Sequence, residues 1–346
     1  MKHQTTRYGE IPFYKIGTFG NTADAFISKK LFLEYKTKYS FPKKGDILIS
    51  ASGTIGRAVI YDGKPAYFQD SNIVWIDNDE TLVKNDFLFY AYSHVKWNTE
   101  HTTILRLYND NFRNTLIPLP PLNEQSAIAN ILSALDRYLC VLDALILKKE
   151  SVKKALSFEL LSQRKRLKGF NQAWQRVRLG DIANYLTSNL STEQITQQGK
   201  IKVYDVNNFI GYTDTTFISD KPYISIVKDG SVGRVRILPP KTNILSTMGA
   251  LIANHRTTTE FLFYLLSNFD FKNFTSGSII PHIYFKDYKE KTIFLPPLNE
   301  QSAIANILSA LDNEITSLKN KKRQFENIKK ALNHDLMSAK IRVLEK

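Results

Sequence analysis

Leu119-Pro-Pro-Leu-Asn-Glu-Gln-Ser-Ala-Ile-Ala-Asn-Ile-Leu-Ser-Ala-Leu-Asp136 occurs twice in this chain, and the second copy, Leu295 to Asp312, is identical at every position. Two copies are too few for a solenoid, which needs about three or more stacked units. The duplication therefore predicts two equivalent halves, related by a pseudo-two-fold axis, that present similar surfaces to a partner. Double-stranded DNA and a symmetric pair of proteins are partners of that kind.

Each copy also predicts the start of a long helix. The Pro-Pro pair ends an extended segment, and Asn123 or Asn299 follows as an expected N-cap. Apolar residues then recur at spacings of three and four, a coiled-coil-like stripe that includes Val152 and Ile328. We therefore expect two helices of roughly 40 residues, about 60 Å each, within residues 119–167 and 295–343. Because neither can bury its stripe alone, we expect them to pack antiparallel.

The segments before the helices, residues 1–118 and 174–294, are rich in Tyr, Phe, Ile and Thr and are divided into short runs by Gly and Asx residues. This pattern predicts short strands. The expected fold class is α+β, with two mixed, β-rich domains separated by two antiparallel helices that form a coiled-coil-like strut with pseudo-two-fold symmetry. The domain copies have diverged although the helix starts are identical. That contrast favours two modules on one frame, each recognising a different target.

The composition favours a nucleic-acid partner. The chain has 47 Lys and Arg against 33 Asp and Glu, a net charge of +14, which favours binding to a polyanion. No segment has the apolar length of a membrane span, and the amino end lacks the apolar core of a signal peptide. Cys140 is the only cysteine, and the six histidines show no ligand spacing. We expect a cytoplasmic protein with no disulfide and no metal site.

Two matched glycine turns, Gly53-Thr-Ile-Gly-Arg57 and Gly230-Ser-Val-Gly-Arg234, are the candidate DNA contacts. A Gly-rich turn with a hydroxyl and an Arg can present N–H groups and a guanidinium to phosphates or to guanine. Arg106 and His282, each two residues before a Tyr, occupy matched positions in the stretches Thr103 to Tyr108 and Ile279 to Tyr284. The expected DNA-binding residues are Ser52, Gly53, Thr54, Gly56, Arg57 and Arg106 in the first domain and Gly230, Ser231, Gly233, Arg234 and His282 in the second.

Motifs for catalysis are missing from the sequence. It has no phosphate-binding loop, no dinucleotide-binding turn and no His-Glu-x-x-His motif. Asp24 with Glu34 and Lys36 leaves open the alternative of an autonomous metal-dependent nuclease, which would cleave DNA without other subunits in the presence of Mg²⁺. A further alternative is a structural adaptor whose charge only matches an acidic protein, and which would bind its partners without any dependence on DNA.

The residues quoted above resemble the specificity subunits of type I restriction–modification systems. The resemblance is carried by the duplicated Pro-Pro-Leu-Asn-Glu-Gln helix start, the Lys-Lys-Ala-Leu sequence at 153–156 and 329–332, Gly45-Asp-Ile-Leu-Ile-Ser50 and Trp174-Gln-Arg-Val-Arg-Leu-Gly-Asp-Ile182. It covers nearly the whole chain. It implies two target-recognition domains, each recognising half of a bipartite DNA site, in a subunit that performs no chemistry itself.

The same resemblance implies the partners and cofactors. Two methyltransferase subunits would bind S-adenosylmethionine and methylate adenine, and restriction subunits would use ATP and Mg²⁺. This chain itself would hold no cofactor. Because identical segments can meet the same partner surface, we expect each helix start to dock one methyltransferase subunit, with the partner contacts at Glu124, Gln125, Glu300 and Gln301.

One departure from the family pattern concerns the first domain. The second domain has 25 residues, Trp174 to Gln198, before Gly199, whereas only eight precede the matching Gly9. The Trp-x-x-Val-x-Leu-Gly-Asp-Ile sequence has no counterpart there. Either the chain starts late or the first domain is completed differently. We therefore expect the first domain to be shortened at its amino end and the DNA-binding role to be more secure for the second domain.

Overall fold

A computed structural model describes residues 4–68, 72–97 and 106–344. The chain forms two compact units. The first unit comprises Met1–Asp143 together with Asn320–Lys346, and the second comprises Ala144–Lys319. Each unit contains a β-rich domain and one half of each long helix, so the expected α+β class with two β-rich domains is confirmed.

The first unit holds two three-stranded sheets. In the sheet β2-β1-β5, β1 pairs antiparallel with β2 and parallel with β5; in the sheet β4-β3-β6, both pairings of β3 are antiparallel. Ile47, Leu48 and Ile49 of β3 are at most 1% exposed. Helix α2 covers Ile47 and Ile49 on one face of this sheet, and Leu48 packs against Phe19 and Tyr61 on the other. The elements are β1 (Ile11–Tyr14), β2 (Ala25–Ile27), α1 (Lys29–Lys38), β3 (Ile47–Ser50), β4 (Ala58–Ile60), β5 (Tyr67–Phe68), β6 (Ile73–Trp75), α2 (Asn85–His94), α3 (Asn109–Arg113) and the long helix α4 (Leu122–Leu161).

The second unit repeats this plan with additional strands. The sheet β10-β9-β13 matches β2-β1-β5, and β12-β11-β14-β8 matches β4-β3-β6 with one further strand. The elements are β7 (Gln175–Arg178), β8 (Ala183–Thr187), β9 (Ile201–Tyr204), β10 (Phe209–Thr213), β11 (Tyr223–Val227), β12 (Val235–Leu238), β13 (Asn243–Ile244), β14 (Met248–Ala253), α5 (Thr259–Ser267), β15 (Thr275–Ser276), β16 (His282–Ile283), α6 (Phe285–Tyr288), β17 (Thr292–Leu295) and the long helix α7 (Leu298–Met337).

The strands β7 and β8 distinguish the two units. They come from the stretch that begins at Trp174; β7 pairs with β17, and β8 pairs with β14. Among the described residues of the first unit, no strand takes either position. The residues before Gly199 thus supply two strand pairings to the second unit that the described part of the first unit does not have.

The two long helices pack antiparallel within each unit, as predicted. In the first unit Asp136 of α4 pairs with Lys329 of α7, and in the second unit Lys153 of α4 pairs with Asp312 of α7. Both helices have 40 residues. They are shorter at each end than the predicted ranges 119–167 and 295–343.

Two details of the helix prediction were wrong. The helices begin at Leu122 and Leu298, so Asn123 lies inside the first turn, where its Oδ1 accepts a hydrogen bond from the Glu124 N–H at 2.9 Å, rather than at the N-cap. Val152 and Ile328 were assigned to the apolar stripe but are 45% and 51% exposed. The inward face passes through Lys153 and its counterpart Lys329, whose ammonium groups pair with carboxylates across the helix pair, so the contact there is ionic rather than apolar.

Candidate nucleic-acid interface and the repeated helix starts

The first glycine turn joins β3 to β4. The Gly56 N–H donates to the Ser50 carbonyl at 3.0 Å, and the Ser50 N–H donates to the Arg57 carbonyl at 2.9 Å. Gly53 and Gly56 have φ of +69° and +79°, a region that residues with a Cβ rarely adopt. The two glycines are therefore required by the backbone path of the turn.

The second turn, between β11 and β12, has the same hydrogen bonds. The Gly233 N–H donates to the Val227 carbonyl and the Val227 N–H to the Arg234 carbonyl, both at 2.9 Å. Gly230 and Gly233 have φ of +82° and +81°. The faint sequence similarity thus corresponds to one backbone conformation built twice.

An aromatic ring packs against the second glycine of each turn. A Cβ on Gly56 would collide with the indole of Trp97, and one on Gly233 would lie 2.6 Å from the ring of Phe271. Trp97 packs against Phe112, and Phe271 packs against Tyr288, with ring centroids 5.1 and 5.4 Å apart. Sequence reasoning missed these rings because they follow helices α2 and α5 and approach the turns only in the folded chain.

The structure brings the turns together with the other predicted DNA contacts. In the first unit Ser52 forms an isolated antiparallel β-bridge with Arg106, and the Leu107 N–H donates to the Ala51 carbonyl at 2.8 Å. In the second unit Asp229 forms an isolated antiparallel β-bridge with His282, and the Ile283 N–H donates to the Lys228 carbonyl at 2.9 Å. Each unit therefore carries a turn and a neighbouring extended segment on one surface. Thr103 to Leu105 and the histidines at 3 and 101 lie outside the described residues.

The predicted arginines differ in their surroundings. Arg234 is exposed, and its guanidinium has no hydrogen-bond or ion-pair partner in the described part of the chain. Arg57 is also exposed, but its Nη1 donates to the Phe19 carbonyl at 3.0 Å. The Arg106 guanidinium lies over the Tyr108 ring at 5.7 Å. Arg234 is therefore the side chain whose guanidinium is most available to a ligand.

The hydroxyl and imidazole candidates also differ in their exposure and in their internal hydrogen bonds. Thr54 and Ser231 are exposed at the turns. His282 Nδ1 lies 2.7 Å from Asp229 Oδ1, which orients the ring. The assignment of Ser52 to a DNA contact was wrong: the side chain is 7% exposed and its Oγ donates to Asn72 Oδ1 at 3.0 Å. Its hydroxyl completes a buried hydrogen bond instead of facing solvent.

The expectation that Glu124 and Glu300 are exposed partner contacts was also wrong. They are 4% and 0% exposed. Glu300 accepts two hydrogen bonds from Arg166, at 3.2 and 2.6 Å, and one from the Trp174 indole at 3.0 Å. Glu124 accepts the equivalent pair from Arg342, at 3.4 and 2.8 Å, and this hydrogen bonding lowers the pKa of the carboxyl.

The neighbouring glutamines are likewise internal and cannot meet a partner surface. Gln301 is 0% exposed; its Oε1 accepts from the Thr258 N–H at 3.0 Å, and its Nε2 donates to the carbonyls of Arg256 and Pro296. Gln125 is 1% exposed and makes equivalent bonds to Lys84, Leu82 and Pro120. The Glu-Gln pair therefore fastens each helix start to its own unit.

A third internal connection is built twice. The Tyr264 hydroxyl donates to Asp312 at 2.9 Å, and the Tyr90 hydroxyl donates to Asp136 at 2.8 Å. Burial raises the pKa of both phenols, and the hydrogen bond to the carboxylate raises it further. Arg166 and Arg342, which sequence reasoning missed, stand 176 positions apart, the same offset as the repeat. That offset was the available signal.

The solvent-facing side of the repeat consists of other residues. Leu122 and Leu298 are 38% and 47% exposed. Further along the same helix face, four smaller residues of the repeat are exposed: Asn130, Ala134, Asn306 and Ala310. This exposed face, together with Asn123 and Asn299, is called the repeat face below.

Residues considered for a nuclease have other contacts. Asp24 pairs with Lys15 at 2.8 Å, and the Lys36 ammonium lies over the Phe41 ring at 5.3 Å. In residues 4–68, 72–97 and 106–344, no group of three or more His, Cys, Asp or Glu side chains could hold a metal ion. None of the described helices is long and apolar enough to cross a membrane.

Comparison with known proteins identifies the family. The model of the type I restriction modification DNA specificity domain matches residues 1–148 and 171–327. A putative type I restriction enzyme specificity subunit from Haemophilus influenzae is 65% identical over 133 residues, a match spanning 38% of this chain and 34% of the relative. The putative MjaX specificity subunit from Methanocaldococcus jannaschii is 30% identical over 335 residues, covering 86% of this chain and 79% of the relative.

Solved structures show the same fold. The type I restriction–modification S subunit from M. genitalium superimposes with a TM-score of 0.64 at 20% identity, covering 97% of this chain and 91% of that one. A chain from a study of complex assembly and conformational transition of the type I system gives a TM-score of 0.52 at 15% identity, covering 85% and 82%. With two matches to the family model and a relative that is 30% identical over 86% of this chain, the chain belongs to the family of type I restriction–modification specificity subunits.

Proposed function

We propose that this chain is the non-catalytic subunit that selects the DNA sequence for a type I restriction–modification complex, each β-rich domain recognising one half of a bipartite target. The observation that carries the proposal is the pair of glycine turns, built with the same hydrogen bonds in both units, each beside an exposed Arg. The same turn with different side chains beside it, Ser52 and Arg106 in one unit and Asp229 and His282 in the other, is what two domains that recognise different half-sites require. The chain's net charge of +14 suits a DNA partner.

Arg234 is the side chain on which the proposal is most directly tested. Its guanidinium has no partner in the described part of the chain, so it can bind guanine or phosphate without breaking an internal bond. Arg57 occupies the matched position but is partly held by the Phe19 carbonyl. Its substitution would therefore affect the turn as well as the DNA, and Arg234 is the cleaner probe.

The experiment compares Arg234→Ala with Arg323→Ala, a control that removes the same charge from an exposed position on α7. The chain is assembled with its methyltransferase subunits, DNA binding is measured across a salt series, and methylated adenines are mapped in cells. A base contact should cost about 1–3 kcal/mol and relax the preference at one position, whereas a phosphate contact should weaken all sequences and reduce the salt slope by about one. Curves that overlay the control at every salt concentration would contradict the role of Arg234.

Partner binding is the second part of the proposal. Methyltransferase subunits would dock on the repeat face, one per helix start, because that is where identical exposed residues are presented twice. They would bring S-adenosylmethionine, and restriction subunits would bring ATP and Mg²⁺, all in the cytoplasm. The helices α4 and α7 would set the spacer between the half-sites.

Docking is tested by the single variants Asn130→Arg and Asn306→Arg, the double variant, and Cys140→Arg as a control at an exposed α4 position outside the repeat. Each single variant should retain one methyltransferase subunit on co-purification, the double variant none, and the control two. Two subunits on the double variant would refute docking on this face. Cleavage of plasmid by the purified chain with Mg²⁺ alone would refute the non-catalytic role.

A further inference from the structure

An exposed apolar hairpin tip lies beside the second glycine turn. β15 pairs antiparallel with β16, and the five residues Gly277 to Pro281, called the hairpin tip below, connect the two strands. Ile279 in this connection is 92% exposed, and Ile280 is 55% exposed. Two adjacent isoleucines that project into water gain free energy from contact with an apolar group on a partner.

The hairpin tip is fastened to the core and to the turn. Ile283 of β16 is 1% exposed and belongs to the core of the second unit. The Gly230 N–H of the turn donates to the Pro281 carbonyl at 2.9 Å. Gly277 has a φ of +91°, and a Cβ there would collide with the Ile280 carbonyl, so the connection folds closely on itself. The exposed isoleucines are therefore presented on a short connection that shares its surface with the turn.

The charges around the hairpin tip favour DNA over a protein as its partner. Arg234 of the turn is exposed. Residues 271–286 contain two lysines and no Asp or Glu, and Asp229 beside the turn is already paired with His282. The uncompensated charge on this surface is therefore positive, which suits a polyanion.

The width of the hairpin indicates which groove it enters. Neighbouring strands lie about 4.8 Å apart, so a two-stranded ribbon with its side chains fits the major groove, about 12 Å wide, and is too broad for the minor groove, about 6 Å wide. Base edges in the major groove present hydrogen-bond donors and acceptors, except for the 5-methyl group of thymine. An isoleucine placed there gains an apolar contact at thymine, whereas at another base it would displace water from a polar group that it cannot pair.

We propose that Ile279 contacts the 5-methyl group of a thymine in the half-site that the second domain recognises. The inference rests on the proposed function and identifies one base of its target. Ile279 would set the preference for thymine at that position, while Arg234 on the adjoining turn would bind a guanine or a phosphate. Sequence reasoning selected His282 from the same hairpin and passed over the isoleucines, because they carry no hydrogen-bonding side chain.

The test uses the chain assembled with its methyltransferase subunits and a duplex that carries the target mapped from methylated adenines in cells. Each thymine of the target is replaced in turn by uracil, which keeps the base pair but lacks the methyl group. Binding is measured for the unmodified chain, for Ile279→Ser and for the milder Ile279→Ala. Ile328→Ser is the control, since it removes an isoleucine that is 51% exposed on α7.

One uracil substitution should weaken binding by the unmodified chain and by the control about fourfold, the effect of one buried methyl group. Ile279→Ser should bind the thymine target about tenfold more weakly than the unmodified chain does. It should also be indifferent to that uracil, and in cells it should relax the preference at that position alone. Ile279→Ala should fall between the two, because it keeps part of the apolar contact.

The inference is overturned, with the proposed function intact, if the unmodified chain binds its target specifically but no uracil substitution weakens binding, or if Ile279→Ser keeps the sensitivity to uracil. Loss of a methyltransferase subunit from Ile279→Ser on co-purification would also overturn it, since the tip would then contact protein. So would a rise in the fluorescence of 2-aminopurine placed in the half-site that requires Ile279, since the tip would then separate stacked bases. Absence of any sequence-specific binding by the unmodified chain would refute the proposed function together with this inference.

Discussion

Replacing Arg166 by Met should destabilise the second unit severely, because it would leave Glu300 charged inside the protein. Glu300 is 0% exposed, and Arg166 supplies two of its hydrogen bonds, at 3.2 and 2.6 Å. Only the Trp174 indole at 3.0 Å would remain. Removing one partner of a buried ion pair costs about 3–5 kcal/mol, which corresponds to a fall of roughly 10 °C in the Tm of a unit of this size.

The first unit provides the matched control. Arg342 makes the same bonds to Glu124, but its side chain is 51% exposed, whereas that of Arg166 is 30% exposed. Water can reach Glu124 more easily once the arginine is gone, so Arg342→Met should lose clearly less stability. The two variants remove the same group from equivalent positions of one chain. The sites differ in how far the carboxylate is shielded and in the Trp174 indole, which donates to Glu300 alone.

Unfolding is followed for each unit separately by hydrogen exchange, and for the second unit also by the fluorescence of Trp174, its only tryptophan. Adding Glu300→Gln to Arg166→Met should recover most of the loss, because the buried charge is removed. The reasoning is refuted if Arg166→Met costs the second unit no more than Arg342→Met costs the first, or if the double variant recovers nothing.

Three further outcomes are expected. The hydrogen bond from Arg342 holds the pKa of Glu124 below its ordinary value of 4.5. The pair therefore stabilises the first unit above about pH 4.5, and this stabilisation is lost as the pH falls through the lowered pKa. Acid unfolding of Arg342→Met should depend less on pH than that of the unmodified chain. Gly233→Ala should lower the stability of the second unit by about 1–3 kcal/mol and more than Gly230→Ala, since both glycines have positive φ but only Gly233 faces a ring; equal thermal shifts would contradict this. One heptad inserted after Asp143 and one after Lys319, where the two units divide, lengthens each helix by about 10 Å. Binding assays should then show a preference for a spacer about three base pairs longer, or a loss of binding caused by the accompanying rotation. Undiminished affinity for the original spacer would show that the helices do not set the spacer length.

The sequence carried the information for the architecture because the relevant interactions are local or repeated. Pro-Pro followed by apolar residues at spacings of three and four suffices for two helices, and duplication implies that both stripes meet. The glycine turns were found for the same reason: Gly56 and Gly233 need positive φ, and a backbone requirement is visible in the residue type. The net charge of +14 favoured a nucleic-acid partner, since a basic surface attracts a polyanion.

Burial, by contrast, was decided by tertiary structure. Glu124 and Glu300 look like exposed helix-start carboxylates until Arg342 and Arg166 arrive from more than a hundred residues away and make an ion pair inside the unit. Ser52 looks like a DNA contact until Asn72 takes its hydroxyl. Leu119 and Leu295 show this most clearly, because the two leucines occupy the same position of an identical sequence and are 52% and 4% exposed. A residue's own neighbours along the chain determine its backbone, but its environment depends on which distant strand packs beside it, and in the second unit that strand is β7.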